Sequence, residues 1–446
     1  MEQQQDKIPG CAHCETKLPF RLPNQIIEAA NTGTLSIFAG AGISTEGRNV
    51  FITSLYDEVA AELAMDPKKT NLSFPELMSR YCATAKGGRI DLLVKIKQRL
   101  DYLKSFPEVH TQATRFHKEL ATIPHVHRIF TTNWDDLFEQ ECAAQPIVSA
   151  EDFVFWDLPD RKVFKLHGSI NNPGSLVITS DDYEKCYRSL NRGLLGSSLK
   201  VALATSTVLF VGYSLTDTDF LRIYSFMKKE LKKLLPHAFG VTLSKESAER
   251  FTELGITPIL TDAAHFLSIL KEALVVSKGM LPDSWINPMV RALPAVYRAH
   301  DRLYEKFNHK KYPMVILVAC YQDGLYHALE HLISFYPTGK YSDPRKIIST
   351  FESYGRIRQQ AVRRGSYHDV AYIDGYRVGY ALTLDTKLQR SLPKYYMPGY
   401  GHIYSLDELR SALNSRSMRR GRAYNYALRM SQKIPADLVY HHAAFL

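Results

Sequence analysis

From residue 35 to residue 274 the chain alternates short apolar runs with longer stretches in which apolar positions recur every three or four residues. The runs are Leu35–Phe38, Arg128–Thr131, Val163–Leu166, Ser175–Ile178, Thr207–Val211, Ala238–Thr242 and Thr257–Leu260. Short runs of this kind predict strands covered on both faces, and the helical stretches between them predict crossovers. The expected fold is α/β, a Rossmann-like parallel sheet between helices. Between Phe51 and Leu120 the helical period persists without a strand, as in Leu55-Tyr-Asp-Glu-Val-Ala-Ala-Glu-Leu63. That stretch predicts a helical insertion long enough to cap the sheet.

The alternation stops near Lys278-Gly-Met-Leu-Pro-Asp-Ser-Trp-Ile-Asn-Pro288, where a glycine and two prolines predict a linker. Beyond it the pattern is mainly helical, for example over Met289–Phe307 and Leu406–Leu413. The expected organisation is an N-terminal extension over 1–30, an α/β domain over 31–277 and a mainly helical domain over 289–446. Charge sharpens the division. Residues 281–446 carry 24 Lys+Arg against 13 Asp+Glu, so the formal net charge of +10 lies there, together with 19 of the 26 tyrosines. Such asymmetry points to a separate basic domain facing an acidic surface, either nucleic acid or a protein partner. Its arginine patches are Arg356-Ile-Arg358, Arg363-Arg364 and Arg416-Ser-Met-Arg-Arg-Gly-Arg422, which a solvated face would equally explain.

The longest strongly apolar run, Met314 to Cys320, is too short to cross a bilayer, and the first residues lack the apolar core of a signal peptide. The protein is expected to be soluble and cytoplasmic. Of the six cysteines only Cys11-Ala-His-Cys14 has ligand-like spacing, and no second pair completes a zinc site.

Four motifs follow apolar runs, where open α/β sheets bind ligands. The first, Phe38-Ala-Gly-Ala-Gly-Ile-Ser44, predicts a strand turning through Gly40 and Gly42 into a helix whose backbone N–H groups would receive an anion. The second is Thr132-Asn-Trp-Asp135. Asn133 there is either the N-cap of a helix beginning near Trp134 or a group that orients a ribose or a water. Asp135 and Asp136 either complement a helix dipole, or Asp135 takes a ribose hydroxyl. The third, Lys165-Leu-His-Gly168, places His167 at a strand end, where it is a turn residue or a proton acceptor suited to neutral pH. The fourth, Val211-Gly-Tyr-Ser214, offers Gly212 and Ser214 to phosphate or ribose. Asp217 and Asp219 beyond it are also read as caps of a helix over 220–231.

This ordered set resembles the sirtuin NAD-binding core, and most of all the bacterial branch whose members hydrolyse NAD+ in antiphage defence. Leu176-Val-Ile-Thr-Ser-Asp-Asp-Tyr183 is similar to that branch as well. The resemblance covers roughly residues 30–275. It implies that Gly40, Ala41, Gly42 and Ser44 cradle the pyrophosphate, and that Asn133 and Asp135 hold the nicotinamide ribose and the attacking water. Thr132 joins the same cofactor-binding set, His167 acts as general base, and Gly212 and Ser214 line the adenosine side. Two features depart from deacylating sirtuins. Residues 168–211 contain one cysteine, Cys186, in place of a four-cysteine zinc module, so no zinc is expected. Thr45-Glu-Gly-Arg-Asn-Val-Phe51 stands where those enzymes carry Pro-Asp-Phe-Arg.

The resemblance thus implies NAD+ as substrate, with nicotinamide and ADP-ribose as products. Protein deacylation, ADP-ribosylation and a non-catalytic NAD-binding scaffold are the competing expectations. Control of a toxic activity implies a homo-oligomer or a companion such as a HerA-like ATPase, engaged through residues 289–446.

Overall fold

The computed structural model describes residues 20–45, 50–212, 221, 224–225, 227–229 and 237–444. The chain divides into two compact units, with the boundary in sequence between Ser277 and Lys278.

The first unit is built on seven parallel strands: β1 (Leu35–Ala39), β2 (Arg128–Thr131), β3 (Gln145–Ile147), β4 (Lys162–Lys165), β5 (Thr207–Val211), β6 (Ala238–Thr242) and β7 (Thr257–Leu260). Their order is β3-β4-β2-β1-β5-β6-β7. β1 is central and every one of its residues is buried, as its uninterrupted Leu-Ser-Ile-Phe-Ala run requires. Register is fixed by one rung of phenylalanines. Phe38 pairs with Phe130 on one side and Phe210 on the other, and Phe130 pairs with Phe164. Ring centroids lie 6.4, 5.5 and 4.7 Å apart along these pairs, and all four rings are buried. A slip of one residue would turn each ring to the opposite face of the sheet. At about 1.5–3 kcal/mol per buried aromatic side chain, the rung strongly disfavours other pairings.

Two strands differ from the sequence expectation. Ser175–Ile178 is not a strand: Pro173–Ser175 forms a 3₁₀ turn, and the following residues run extended without joining the sheet. Their apolar character has another cause, because Leu176 and Ile178 are buried against the helices of the insertion. Conversely, Gln145–Ile147 forms the edge strand β3, too short and too mixed to show a period. The insertion itself comprises the helices Leu55–Glu62, Phe74–Thr84, Arg89–Ser105 and Pro107–Ala121. It packs on Leu176, Ile178, Trp134 and Ile170, so it covers loops that leave the carboxyl ends of β2 and β4.

In the second unit, the stretch read as a linker belongs to the fold. Asp283–Ile286 forms a 3₁₀ turn, and Trp285 and Ile286 are buried in this unit's core. The centre is the helix Val315–Phe335, buried almost all round from Val315 to Leu325. It crosses the helix Tyr367–Ala381 in backbone contact. A Cβ on Gly324 would stand 1.9 Å from the Tyr372 carbonyl oxygen, and one on Gly375 1.9 Å from that of Tyr321. The tyrosine excess is spent inside this unit: Tyr354 stacks on Tyr376 at 4.3 Å, and Tyr341 meets Tyr380 edge-on at 5.4 Å. A two-stranded antiparallel hairpin, Tyr395–Met397 with Gly401–Ile403, completes the mainly helical unit. Among the described residues, no helix is long and apolar enough to cross a membrane.

The Gly324 crossing yields a direct test. Gly324→Ala should cost about 3 kcal/mol, since backbone rather than a mobile side chain blocks the new methyl group. The urea unfolding midpoint measures this, and a variant as stable as the native chain would show that the two helices separate freely.

Candidate active site

The phenylalanine rung determines what gathers at the carboxyl edge of the sheet. Gly40, Thr132 and Gly212 each follow it by two residues; Ala41, Asn133 and His167 follow by three. The β2–β4 ladder continues past the strands through Leu166 N–H to Thr131 O at 2.8 Å. Asn133 and His167 therefore leave neighbouring parallel strands at the same level, and parallel strands lie about 4.8 Å apart. The order of strand addition also reverses here, since β1 leads toward β2 and β5 toward β6, on opposite sides. That switch point is where open α/β sheets form their ligand crevice.

Gly40 leaves β1 in extended conformation, and Ala41–Ile43 makes a single 3₁₀ turn rather than the helix expected from the sequence. Gly42 N–H donates to Gly212 O at 2.9 Å, Ile43 N–H to Gly40 O at 3.3 Å and Ser44 N–H to Ala41 O at 3.0 Å. All three amides are thus occupied in this conformation, the first by the residue that follows β5 and the other two within the turn. Glycine is required on both sides of the contact. Gly212 has φ +58°, and its Cβ would stand 2.5 Å from Ile43 N. Gly168 is likewise left-handed at φ +81°, against the Ser175 backbone.

Ser44 is a buried hub. Its hydroxyl donates to Asp135 Oδ2 at 3.1 Å and accepts from Asn133 Nδ2 at 3.3 Å. The same amide nitrogen donates to Gly40 O at 3.3 Å. Asn133 is not an N-cap, because the helix begins at Leu137, whose N–H instead reaches Asp135 Oδ1 at 3.2 Å. With its nitrogen committed, Asn133 presents Oδ1, a buried acceptor that no described residue satisfies. Leaving such a group unpaired costs about 1–3 kcal/mol. His167 is buried at 3% exposure, its backbone carbonyl accepting from Val177 N–H at 3.1 Å. Its ring meets Tyr183 edge-on at 5.0 Å.

Of the expected site residues, the structure brings together Gly40, Gly42, Ser44, Asn133, Asp135 and Gly212 by direct contact and His167 by register. Ala41 lies on the turn. Thr132, expected in the cofactor-binding set, is half-buried, and beside it the Thr131 hydroxyl donates to Ala39 O at 2.8 Å and accepts from Asn133 N–H at 3.0 Å. Ser214 lies outside the described residues, as do Asp217, Asp219, most of the stretch 220–231, and Cys11 and Cys14. Cys186 is buried in the core, its thiol donating to Leu166 O at 3.4 Å.

Sequence reasoning passed over Lys165 and Glu139. The Lys165 side chain is wholly buried; its ammonium donates to Asp135 O and to Glu139 Oε1, the latter at 3.1 Å. Burial pushes the Glu139 carboxyl up, against the opposing pull of Lys165. The sign was available, because a lysine inside Val163-Phe-Lys-Leu166 on a doubly covered strand demands an anion.

The fold and the strand-tip loops define the class: a doubly wound α/β domain with its crevice at the switch point between β1 and β5. Residues 127–259 match the model of the SIR2-like domain. The chain is similar to NAD(+) hydrolase ThsA of Enterococcus faecium, 33% identical over 213 residues that cover 46% of this chain and 42% of the relative. NAD(+) hydrolase ThsA of Bacillus cereus (strain MSX-D12) is 29% identical over 208 residues, covering 44% and 40%. Defense-associated sirtuin 2 of Bacillus subtilis is 27% identical over 236 residues, covering 51% and 22%. The chain thus spans less than half the length of each of these relatives.

Behind the site, His117 on the helix Pro107–Ala121 is fully buried, 4.5 Å from the Phe138 ring. Burial lowers its pKa to about 4, against the pull of the Asp135 carboxylate. An unfolded chain takes up this proton near pH 6.5, while the folded chain refuses it, so stability is lost as pH falls from about 6.5 toward 4. The contribution is about 3 kcal/mol across that window. His117→Phe, which keeps the ring packing, should flatten the pH dependence of unfolding free energy there; an unchanged slope would place the acid sensitivity elsewhere.

Proposed function

We propose that the first unit hydrolyses NAD+ to nicotinamide and ADP-ribose, as an NAD-depleting effector of antiphage defence. The observation that carries this reading is the buried, unsatisfied Asn133 Oδ1 beside His167 at the strand tips. An acceptor of that kind suits a donor arriving with a ligand, either a water or a ribose hydroxyl. His167 on the neighbouring strand is suited to relieve that donor of its proton. The nicotinamide–ribose bond is already activated, since nicotinamide leaves as a neutral molecule from a cationic pyridinium. Its departure builds an oxocarbenium-like ribose, which fixed polar groups stabilise. In this reading Gly40, Ala41, Gly42 and Ser44 receive the pyrophosphate once the 3₁₀ turn opens. Thr132 and Asp135 take the ribose side, and Gly212 and Ser214 line the adenosine side. The names of the relatives from Enterococcus faecium and Bacillus cereus are in keeping with this chemistry.

Nicotinamide release from NAD+ tests the assignment. Asn133→Ala and His167→Ala should each lose at least about 100-fold in turnover while retaining the native melting transition. If either variant kept native turnover, the residue would have no part in the reaction.

We further propose that the second unit mediates assembly, either with copies of itself or with a partner such as a HerA-like ATPase, and so controls activation. Exposed Arg416, Arg419, Arg420 and Arg422 supply a basic surface for such contacts, whereas Arg358 is already paired with Asp374 at 2.5 Å. Native mass measurement should find the full chain oligomeric and a chain ending at Leu281 monomeric. Equal oligomers in both would assign assembly to the first unit.

A further inference from the structure

The second unit holds a cluster of histidine and aspartate that the proposed hydrolysis does not use. Asp323 sits midway along the apolar helix Val315–Phe335 at 6% exposure, next to Gln322 at 1%. A carboxylate there is costly unless its oxygens are occupied. Its Oδ2 accepts from His442 N–H at 2.8 Å, and its Oδ1 lies 3.2 Å from His441 Nδ1. His300, on the helix Asn287–Lys306, stacks its ring against that of His441, with centroids 5.0 Å apart and planes 24° apart. His300, Asp323 and His441 each offer one ligand atom, and the three atoms lie within 4.8 Å of one another.

The tautomer of His300 follows from its neighbour. Gln322 Nε2 donates to Lys394 O at 3.1 Å, which leaves Oε1 to face His300 Nδ1 at 3.2 Å. Nδ1 must therefore carry the proton, and the lone pair falls on Nε2. That nitrogen is buried, and no described residue hydrogen-bonds to it. A neutral imidazole with one N–H held by an oxygen acceptor and the other nitrogen bare is the usual state of a metal-ligating histidine.

We propose that His300 (through Nε2), Asp323 and His441 bind a divalent transition-metal ion of the zinc class. Two imidazoles and one carboxylate match that ion's ligand preference and leave a coordination position open to solvent, on the side where the His441 side chain is 60% exposed. The three ligands come from well-separated stretches of chain, so the ion would tie residues near the end of the sequence to two core helices.

Full-length protein carrying Cys11→Ser and Cys14→Ser, stripped with a chelator, should take up one Zn2+ per chain in equilibrium dialysis and melt at a higher temperature with Zn2+ than without. Co2+ should give visible absorption bands from nitrogen and oxygen ligation. His441→Ala, at a largely exposed position, should lose the ion, the thermal shift and the bands. His441→Cys should restore uptake through a thiolate. His368→Ala, in the neighbouring His368, Asp369 and His442 cluster, should leave all three intact. The proposal is overturned if the stripped protein takes up no Zn2+, if His441→Ala binds as the parent does, or if binding is lost in His368→Ala and kept in His441→Ala.

Discussion

The rung of Phe38, Phe130, Phe164 and Phe210 is the constraint on which the site depends. The four residues are far apart in sequence, yet their burial in one plane of the sheet leaves a single economical pairing of β4, β2, β1 and β5. Once that pairing is set, the positions two and three residues past each ring are brought to one edge without further instruction. None of the loops has to find the others. Each has only to continue its own strand for a few residues, and parallel geometry supplies the rest.

What the loops then do is hold one another. The Ser44 hydroxyl bridges the amide of Asn133 and the carboxylate of Asp135, so the glycine turn after β1 and the loop after β2 form one hydrogen-bonded body. Thr131 adds a second tie, from β2 to the last residue of β1. Most polar groups of these loops are satisfied among themselves, and Asn133 Oδ1 is one of the buried atoms that no described residue satisfies. A site of this kind is preorganised on the Asn133 side and occluded on the glycine side.

Much of this was legible from the sequence because buried parallel strands advertise themselves as unbroken apolar runs, and glycine at a strand end marks a sharp turn. Six of the seven strands and the helical insertion followed from those signals. The failures have separate causes. Leu176 and Ile178 are apolar because they meet the insertion, and period alone cannot tell a packed loop from a strand. β3 has three residues, fewer than any pattern needs. Of the two roles the sequence left open to Asn133, the cap is excluded: the helix starts four residues later, and tertiary contacts claim the side chain. In the second unit, the tyrosine excess suggested a surface for partners, but stacking in the core accounts for much of it. Sequence composition records that aromatic rings are present and says nothing about which side of the protein they face.

Lys165 carries a consequence for how the crevice accommodates anything that enters it. Its ammonium clamps the Asp135 carbonyl and Glu139 from below, while Ser44 and Leu137 N–H fix the Asp135 carboxylate. The Asp135 loop is thus held from two directions, and the turn after β1 is joined to it through Ser44 and Gly40 while its own amides bond to Gly212, Gly40 and Ala41. Any reshaping of the turn therefore breaks bonds to Asn133 and Asp135 as well as its own, so the two loops move together or not at all.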